Sequence, residues 1–497
     1  MLATADTTGN RPGSGAGDVL DVFSGESGSN SARNSRTPFR LVAGTLVLLA
    51  LTLLVPLLGS SVVLALAAVL GVLVVLALGR SALRAARGAS GRGGLRLGWE
   101  LLLHLSPVAL LTLVFPIVSE RISVVQVGGV GLSSLVLAAS LTVPWLSQAV
   151  CMPLYRGVGT LSDGKDVDAL QARFLAVWPL LALRALPVVA VFAVPVQLVM
   201  GWSLTALGAY LAMCVLQLLF AQSLVLSNML GHRWSWAAAW TAYALVLLLV
   251  PQLWALPPLV GLLTQLVPMR RQLRHLGTRV ALDRRDVAAD LRRGLLMGAV
   301  LWADKLVFFL AAGNRFAVDT VFLALLPAVL AYNVYFVVLA PVFDASVRSL
   351  RTAMEDAPLA QLTRYSRSMW EVVCDSIART ALAGAALGLS VTALVGMWEP
   401  AAVDLTATVA VASWLFMMTT VVCYKLDYVG QRTLAQVVGA LHLAATVVAF
   451  LVLPAGTAVY CALIAVEAVL FLVALRSCLD HWRSPEYTLF WRHATSW

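Results

Sequence analysis

The chain has 497 residues, of which 60% are apolar and 12% charged, with a mean hydropathy of +0.87. Soluble proteins carry about 25% charged residues, so a water-soluble globule is excluded and lipid is the solvent this sequence is built for. The formal net charge of +10 invites a nucleic-acid reading, but 31 of the 35 Lys+Arg fall in segments assigned to one side of the membrane, Arg121 and Arg315 on the other, and Arg184 and Lys305 within spans. That asymmetry is the positive-inside rule; it reports topology and contact with the bilayer, and no nucleic-acid partner is expected.

In chain order, residues 1–40 are rich in Gly, Ser, Thr and Asn without hydrophobic periodicity, which predicts a disordered cytoplasmic tail. The tail is too long and polar for a signal-peptide n-region, so the first span is expected to act as an uncleaved signal anchor. Apolar stretches long enough to cross a membrane follow at 41–58, 61–79, 101–118, 129–150, 174–200, 204–229, 236–251, 253–269, 294–313, 320–342, 379–398, 404–424, 433–453 and 457–475. The fold class expected is an all-α integral membrane protein of about fourteen spans, multi-pass in the cytoplasmic (inner) membrane, with both termini cytoplasmic. The basic loops, five Arg in 80–99 and eight in 270–293, then all lie inside, and the outer connections are very short. Trp99, Trp202, Trp234, Trp254, Trp398 and Trp482 fall near span ends as an aromatic belt does.

The basic linker 270–293 divides the spans into a first six-helix lobe, 80–269, and a second, 294–475, as a parallel repeat would, with 476–497 a cytoplasmic tail. The stretch 41–79 contains no ionisable residue. It is expected to form an added two-helix hairpin that the lobes do not need. Residues 359–377 space Leu359, Leu362, Tyr365, Met369, Val373 and Ile377 by threes and fours, which suits an amphipathic helix on the inner membrane surface or an ordinary connector helix.

The informative residues are the ionisable ones inside spans. Trp302-Ala303-Asp304-Lys305 lies about ten residues, roughly 15 Å, into its span, near the midplane, where a charge costs at least about 2.5–3.5 kcal/mol. Asp304 and Lys305 project about 100° apart on a helix and so are not expected simply to neutralise each other. They line a polar cavity, or they pair with neighbouring helices. Arg184 is flanked by Pro179, Pro187 and Pro195, whose freed carbonyls are candidate acceptors for its guanidinium; an anionic ligand is the other. Glu467 is a candidate partner for Arg184 or Lys305, or a proton site, or a buried neutral acid. His104 and His442 read as packing residues, and Gln217, Gln222, Asn228 and Asn333 as hydrogen-bond partners between helices. The six cysteines show no metal spacing, and no disulfide, metal or cofactor is expected.

Three segments carry a likeness to a known family: Gly298 through Trp302, Asp304, Lys305, Phe308 and Phe309; Phe343-Asp344 through Arg348; and Tyr424-Lys425-Leu426-Asp427 leading to Ser484, Glu486, Tyr487 and Phe490. In these the chain resembles the PelG-type exopolysaccharide transporters of the multidrug/oligosaccharidyl-lipid/polysaccharide exporter (MOP) superfamily, over roughly residues 100–492 and most strongly in the second half. The likeness departs at Ala340, Ala345 and Val347. It implies movement of a polysaccharide or lipid-linked saccharide across the cytoplasmic membrane. The partners it implies are a cytoplasmic glycosyltransferase and membrane accessory subunits.

The leading expectation is thus a non-enzymatic saccharide transporter or flippase with a central polar cavity between two lobes, its path lined by Asp304, Lys305, Arg184, Trp302 and Glu467. An ion-coupled drug or metabolite exporter of the same fold is one alternative. A membrane-embedded glycosyltransferase or polymerase is another, opposed by outer loops too short to hold a phosphate-linked sugar.

Overall fold

The computed structural model describes residues 37–57, 60–89, 93–159, 166–278 and 280–494; the disordered tail expected over 1–40 lies almost wholly outside them. The described chain is helical throughout apart from a two-stranded hairpin, Gln126–Val127 with Val130–Gly131. Sixteen α-helices follow one another: α1 (Thr37–Leu54), α2 (Ser61–Ala89), α3 (Gly93–Ser123), α4 (Leu132–Gly159), α5 (Val167–Met200), α6 (Leu204–Met229), α7 (Arg233–Leu249), α8 (Leu256–Leu266), α9 (Arg284–Ala312), α10 (Val318–Val334), α11 (Ala340–Asp356), α12 (Leu359–Trp398), α13 (Val403–Tyr428), α14 (Arg432–Val452), α15 (Thr457–Trp482) and α16 (Pro485–Ala494). A π-helical stretch, Tyr335–Leu339, joins α10 to α11.

Among the described residues twelve helical segments are long and apolar enough to cross a membrane, and the protein is an all-α, multi-pass membrane protein. Large apolar side chains such as Leu46, Leu66, Leu198, Leu451 and Leu472 are exposed along these helices, which only a lipid environment tolerates in such number. The expected count of fourteen is corrected at 236–251 and 253–269. These become α7, of 17 residues, and α8, of 11. Pro251, Pro257 and Pro258 interrupt the run, because proline lacks the amide that continues a helix and is accepted only in its first turn. Eleven residues reach only about 16 Å, about half the hydrocarbon thickness. The amphipathic stretch 359–377 is likewise no separate element. It is the first half of α12, which runs unbroken for 40 residues into the span expected at 379–398.

Local sequence sets the connections. Asp166 caps α5 by accepting from the Ala169 amide at 3.1 Å, and Gly201 ends the helix at φ 60°. Ser203 caps α6 and also donates to the Gly128 carbonyl at 2.6 Å. Its αL glycine and side-chain caps let the chain reverse in three residues without leaving amides unsatisfied.

The helices cluster into two compact units. Among the described residues, one holds Leu102–Phe316; the other holds 37–101 together with 317–494. The boundary therefore falls within α3 and after Phe316, not in the linker 270–293. Within the first unit α9 packs along α4 at the closest range the backbone permits: a side chain at Gly294 would land on the Gln148 carbonyl, and one at Gly298 within 2.8 Å of the Trp145 carbonyl. Trp145 Nε1 donates to the Leu295 carbonyl across this seam at 2.8 Å. Small residues that let two membrane helices touch backbone to backbone are the ordinary means of association in lipid.

In the second unit α13 is the centre, buried on nearly every side from Val403 to Tyr428, as expected of a helix apolar all round. The hairpin α1–α2, which the sequence presents as an addition, packs along α12 in this unit. Gly71 lies where a Cβ would overlap Ser390 Oγ and the Ala386 carbonyl, and Ser390 Oγ donates to the Ala68 carbonyl at 3.2 Å. The substitution Gly71→Leu is expected to lower stability by about 1–3 kcal/mol through overpacking. Gly79→Leu, where a Cβ meets nothing within 4 Å, is expected to be neutral; melting temperatures of the two variants in detergent check this.

Candidate functional site

The first unit buries its charges in two places on α9. Near the start of the helix Asp290, 2% exposed, accepts from Arg156 of α4 at 2.9 Å and lies 3.6 Å from Arg293; Arg156 also reaches Asp286 at 3.3 Å. Fourteen residues beyond Asp290, Asp304 and its neighbour Lys305 are both completely buried, and Lys305 Nζ lies 2.9 Å from Asp304 Oδ1. The ammonium also donates to the Leu301 carbonyl at 3.2 Å. Adjacent residues thus do neutralise each other, contrary to the expectation from their 100° separation. A lysine stem is long enough to fold back over the preceding turn, the direction in which helical Cβ atoms already lean. Trp302, on the same turn, is half-buried.

Arg184 lies midway along α5, half-buried, with Nη1 enclosed and lacking a hydrogen-bond partner among the described residues. The prolines around it do not supply the acceptor expected for that nitrogen. Of the polar residues read as helix-to-helix partners, Gln222 and Asn228 act so in this unit. Trp178 Nε1 donates to Gln222 at 3.0 Å, and Gln222 Nε2 to the Val150 carbonyl at 3.4 Å. Asn228 donates to the Tyr155 hydroxyl at 2.8 Å and accepts from Arg233 at 3.0 Å, while His104 stacks on Trp236. In the second unit Asn333 only bonds back to the Val329 carbonyl of its own helix.

Glu467 belongs to the second unit. Its Oε2 lies 2.8 Å from His442 Nδ1, joining α15 to α14, with both side chains almost wholly buried. His442 is more than a packing residue.

The densest polar and aromatic cluster was not assigned a role from sequence. Lys425 of α13 is completely buried, and its Nζ has no hydrogen-bond acceptor among the described residues. It sits 3.9 Å from the Phe343 ring centroid and 5.2 Å from that of Tyr335, within the reach of a cation–π attraction. Beside it the Asp344 carboxylate accepts from Tyr428 at 2.6 Å and Tyr424 at 3.2 Å, and the two hydroxyls are 3.1 Å apart. Trp482 Nε1 closes the cluster by donating to the Lys425 carbonyl at 3.2 Å, its ring edge-on to Phe343. Tyr335 opens the π-helical stretch, and single π turns recur at functional sites. Phe343, Asp344, Tyr424 and Lys425 stand in the segments that carry the family resemblance, but nothing in their spacing announces that an acid and a base from two helices share a ring-walled chamber. Next to it, Gln431, Asp480, His481, Ser484, Tyr487 and Thr488 line an open cleft at the ends of α13 and α15.

No family model, curated protein or solved structure matches this chain.

Two outcomes follow from the burial. Asp304→Asn or Lys305→Met alone leaves one charge sealed without its counter-charge and is expected to cost about 3–5 kcal/mol, seen as low abundance or a lowered melting temperature; the double variant is expected to recover most of the loss. Lys425→Met keeps the length of the chain and removes a buried ammonium that has no hydrogen-bond acceptor among the described residues, so melting temperature is expected to hold or rise. Phe343→Ala, which opens a cavity and uncovers that ammonium, is expected to cost about 3–5 kcal/mol.

Proposed function

We propose that this protein carries a polysaccharide or lipid-linked saccharide across the cytoplasmic membrane. The observation that supports this most is the burial of ionisable side chains on apolar helices: Asp304 and Lys305 in one unit, Lys425 and the His442–Glu467 pair in the other. A protein that only anchors itself in lipid gains nothing from such groups. Their cost is several kcal/mol each unless paired, and intramembrane charges characteristically mark the routes of polar cargo. A sugar polymer needs sparse hydrogen-bonding and charged groups along a dry route, and Asp304, Lys305, Arg184, Trp302 and Glu467 are the groups assigned to it. The resemblance in the segments around Trp302–Phe309, Phe343–Arg348 and Tyr424–Asp427 favours a saccharide over a drug or metabolite. It also favours a cytoplasmic glycosyltransferase and membrane accessory subunits as partners.

Deletion of the gene is expected to abolish secreted polymer, measured by sugar analysis of the medium, and to leave drug susceptibility unchanged. The reverse result favours an exporter of small molecules. The charge asymmetry also supports cytoplasmic placement of both termini and of the linker 270–293. A cysteine at exposed Thr278 is expected to resist a membrane-impermeant maleimide added to intact cells and to react once the membrane is opened.

A further inference from the structure

The linker between α8 and α9 is folded onto the first unit. Met269 and Val287 belong to a buried core with Phe174, Leu226 and Leu262, and Leu273, Val280, Leu282 and Leu291 pack against that core. A short 3₁₀ helix, Arg270–His275, lies along α5. With the apolar positions turned inward, the basic ones are left outside: Arg270, Arg271, Arg274, Arg284, Arg285 and Arg292 are all exposed. None of these six guanidiniums meets a carboxylate, a ring or a hydrogen-bond acceptor among the described residues.

The acids nearby are committed elsewhere. Asp283 caps α9 by accepting from the Arg285 amide at 2.8 Å, and Asp286 and Asp290 both pair with Arg156 of α4. Asp166 caps α5, and Asp168 stands in the first turn of that helix, where a carboxylate answers the helix dipole. Positive charge therefore accumulates on the outer surface of the linker and the start of α9 without a counter-charge among the described residues.

The position of this surface selects its partner. Helix α8 runs into the linker with Leu263 and Val267 bare, 56% and 61% exposed, and apolar side chains so open belong among acyl chains. Three residues after Val267 the chain reaches Arg270, and exposed Leu276 ends the 3₁₀ helix. The arginines thus begin where lipid-facing side chains stop, the depth at which acyl chains give way to headgroups. A soluble polyanion would use the arginines and leave those leucines and the valine unanswered; a phospholipid answers both. A guanidinium presents a planar fork of donors that fits two oxygens of one phosphate. Each basic residue beside an anionic bilayer strengthens binding about fivefold, which is about 1 kcal/mol.

We propose that the exposed arginines of 270–292 form a docking surface for the phosphate headgroups of anionic phospholipids. It goes beyond the transport reading and does not depend on it. The test is native mass spectrometry of the full-length protein in detergent, titrated with phosphatidylglycerol and, separately, with zwitterionic phosphatidylcholine. A headgroup held by three guanidiniums is expected to bind about a hundredfold more tightly than phosphatidylcholine. The triple variant Arg270→Gln, Arg271→Gln, Arg274→Gln is expected to lose most of that preference. A charge-matched control in the second unit, Arg364→Gln, Arg367→Gln, Arg476→Gln, is expected to keep it. Raising salt from about 50 mM to about 500 mM is expected to weaken phosphatidylglycerol binding, because the surface is open to screening. Equal affinity for the two lipids, indifference to salt, or the same loss in both triple variants overturns the surface. Glycerol 3-phosphate carries the phosphate without acyl chains, and at equal concentration it is expected to leave phosphatidylglycerol bound; displacement overturns lipid as the occupant. If the linker triple variant is not recovered folded, Arg271→Gln and Arg274→Gln singly carry the test, each with an expected loss of about fivefold, and unchanged binding in both overturns the proposal.

Discussion

Local neutrality is the constraint on which this protein depends. In hydrocarbon a lone charge has neither water nor counter-ion to answer it, so each ionisable side chain inside the helices needs an answer from the protein. The chain supplies three kinds. Asp304 and Lys305 answer each other from adjacent positions on one helix. His442 and Glu467 do so across two helices. Lys425 lies on the faces of Phe343 and Tyr335 with the Asp344 carboxylate nearby, a looser solution than a direct ion pair.

The close packing serves that constraint. Gly294 and Gly298 bring α9 against α4 at backbone range, and further along the same helix Asp304 and Lys305 are fully buried. In the second unit α13 is enclosed almost completely and carries Phe416, Cys423, Tyr424, Lys425 and Tyr428 along its second half. One buried helix thus touches both polar centres of that unit, the ring-walled chamber at its end and the His442–Glu467 pair further along. The π stretch Tyr335–Leu339 enters the same chamber. A widened turn shifts the register of all that follows it, and here it sets Phe343 and Asp344 against α13.

The sequence made the membrane class and most of the spans legible, because an apolar run of about twenty residues has few other meanings. It misjudged 236–269, where hydropathy persists through prolines that forbid one continuous helix. The residues that matter in the first unit were also legible, since a charge in an apolar run draws notice whatever its partner. Their pairing was not. A helical wheel places Cα–Cβ directions and ignores the reach of a lysine stem. Charge alone cannot tell which of several helices lies beside Glu467, and His442, 25 residues away in sequence, is the base it meets. Lys425 escaped notice for a simpler reason: it stands at the edge of its apolar run, where lysine normally snorkels to water, and only the tertiary fold encloses it.

The adjacency of Asp304 and Lys305 bears on how the protein enters the membrane. A charge pair between consecutive residues exists as soon as its own helix does, before any neighbour has arrived. Helix α9 can therefore leave the insertion machinery already neutral at its midpoint, carrying a dipole instead of two bare ions. Glu467 has no such local answer. Its histidine lies on the preceding span, so the order of synthesis places the base in the bilayer before the acid that needs it. The topology of the chain is in this respect also a schedule, in which the carboxyl of α15 enters the bilayer after the histidine it meets.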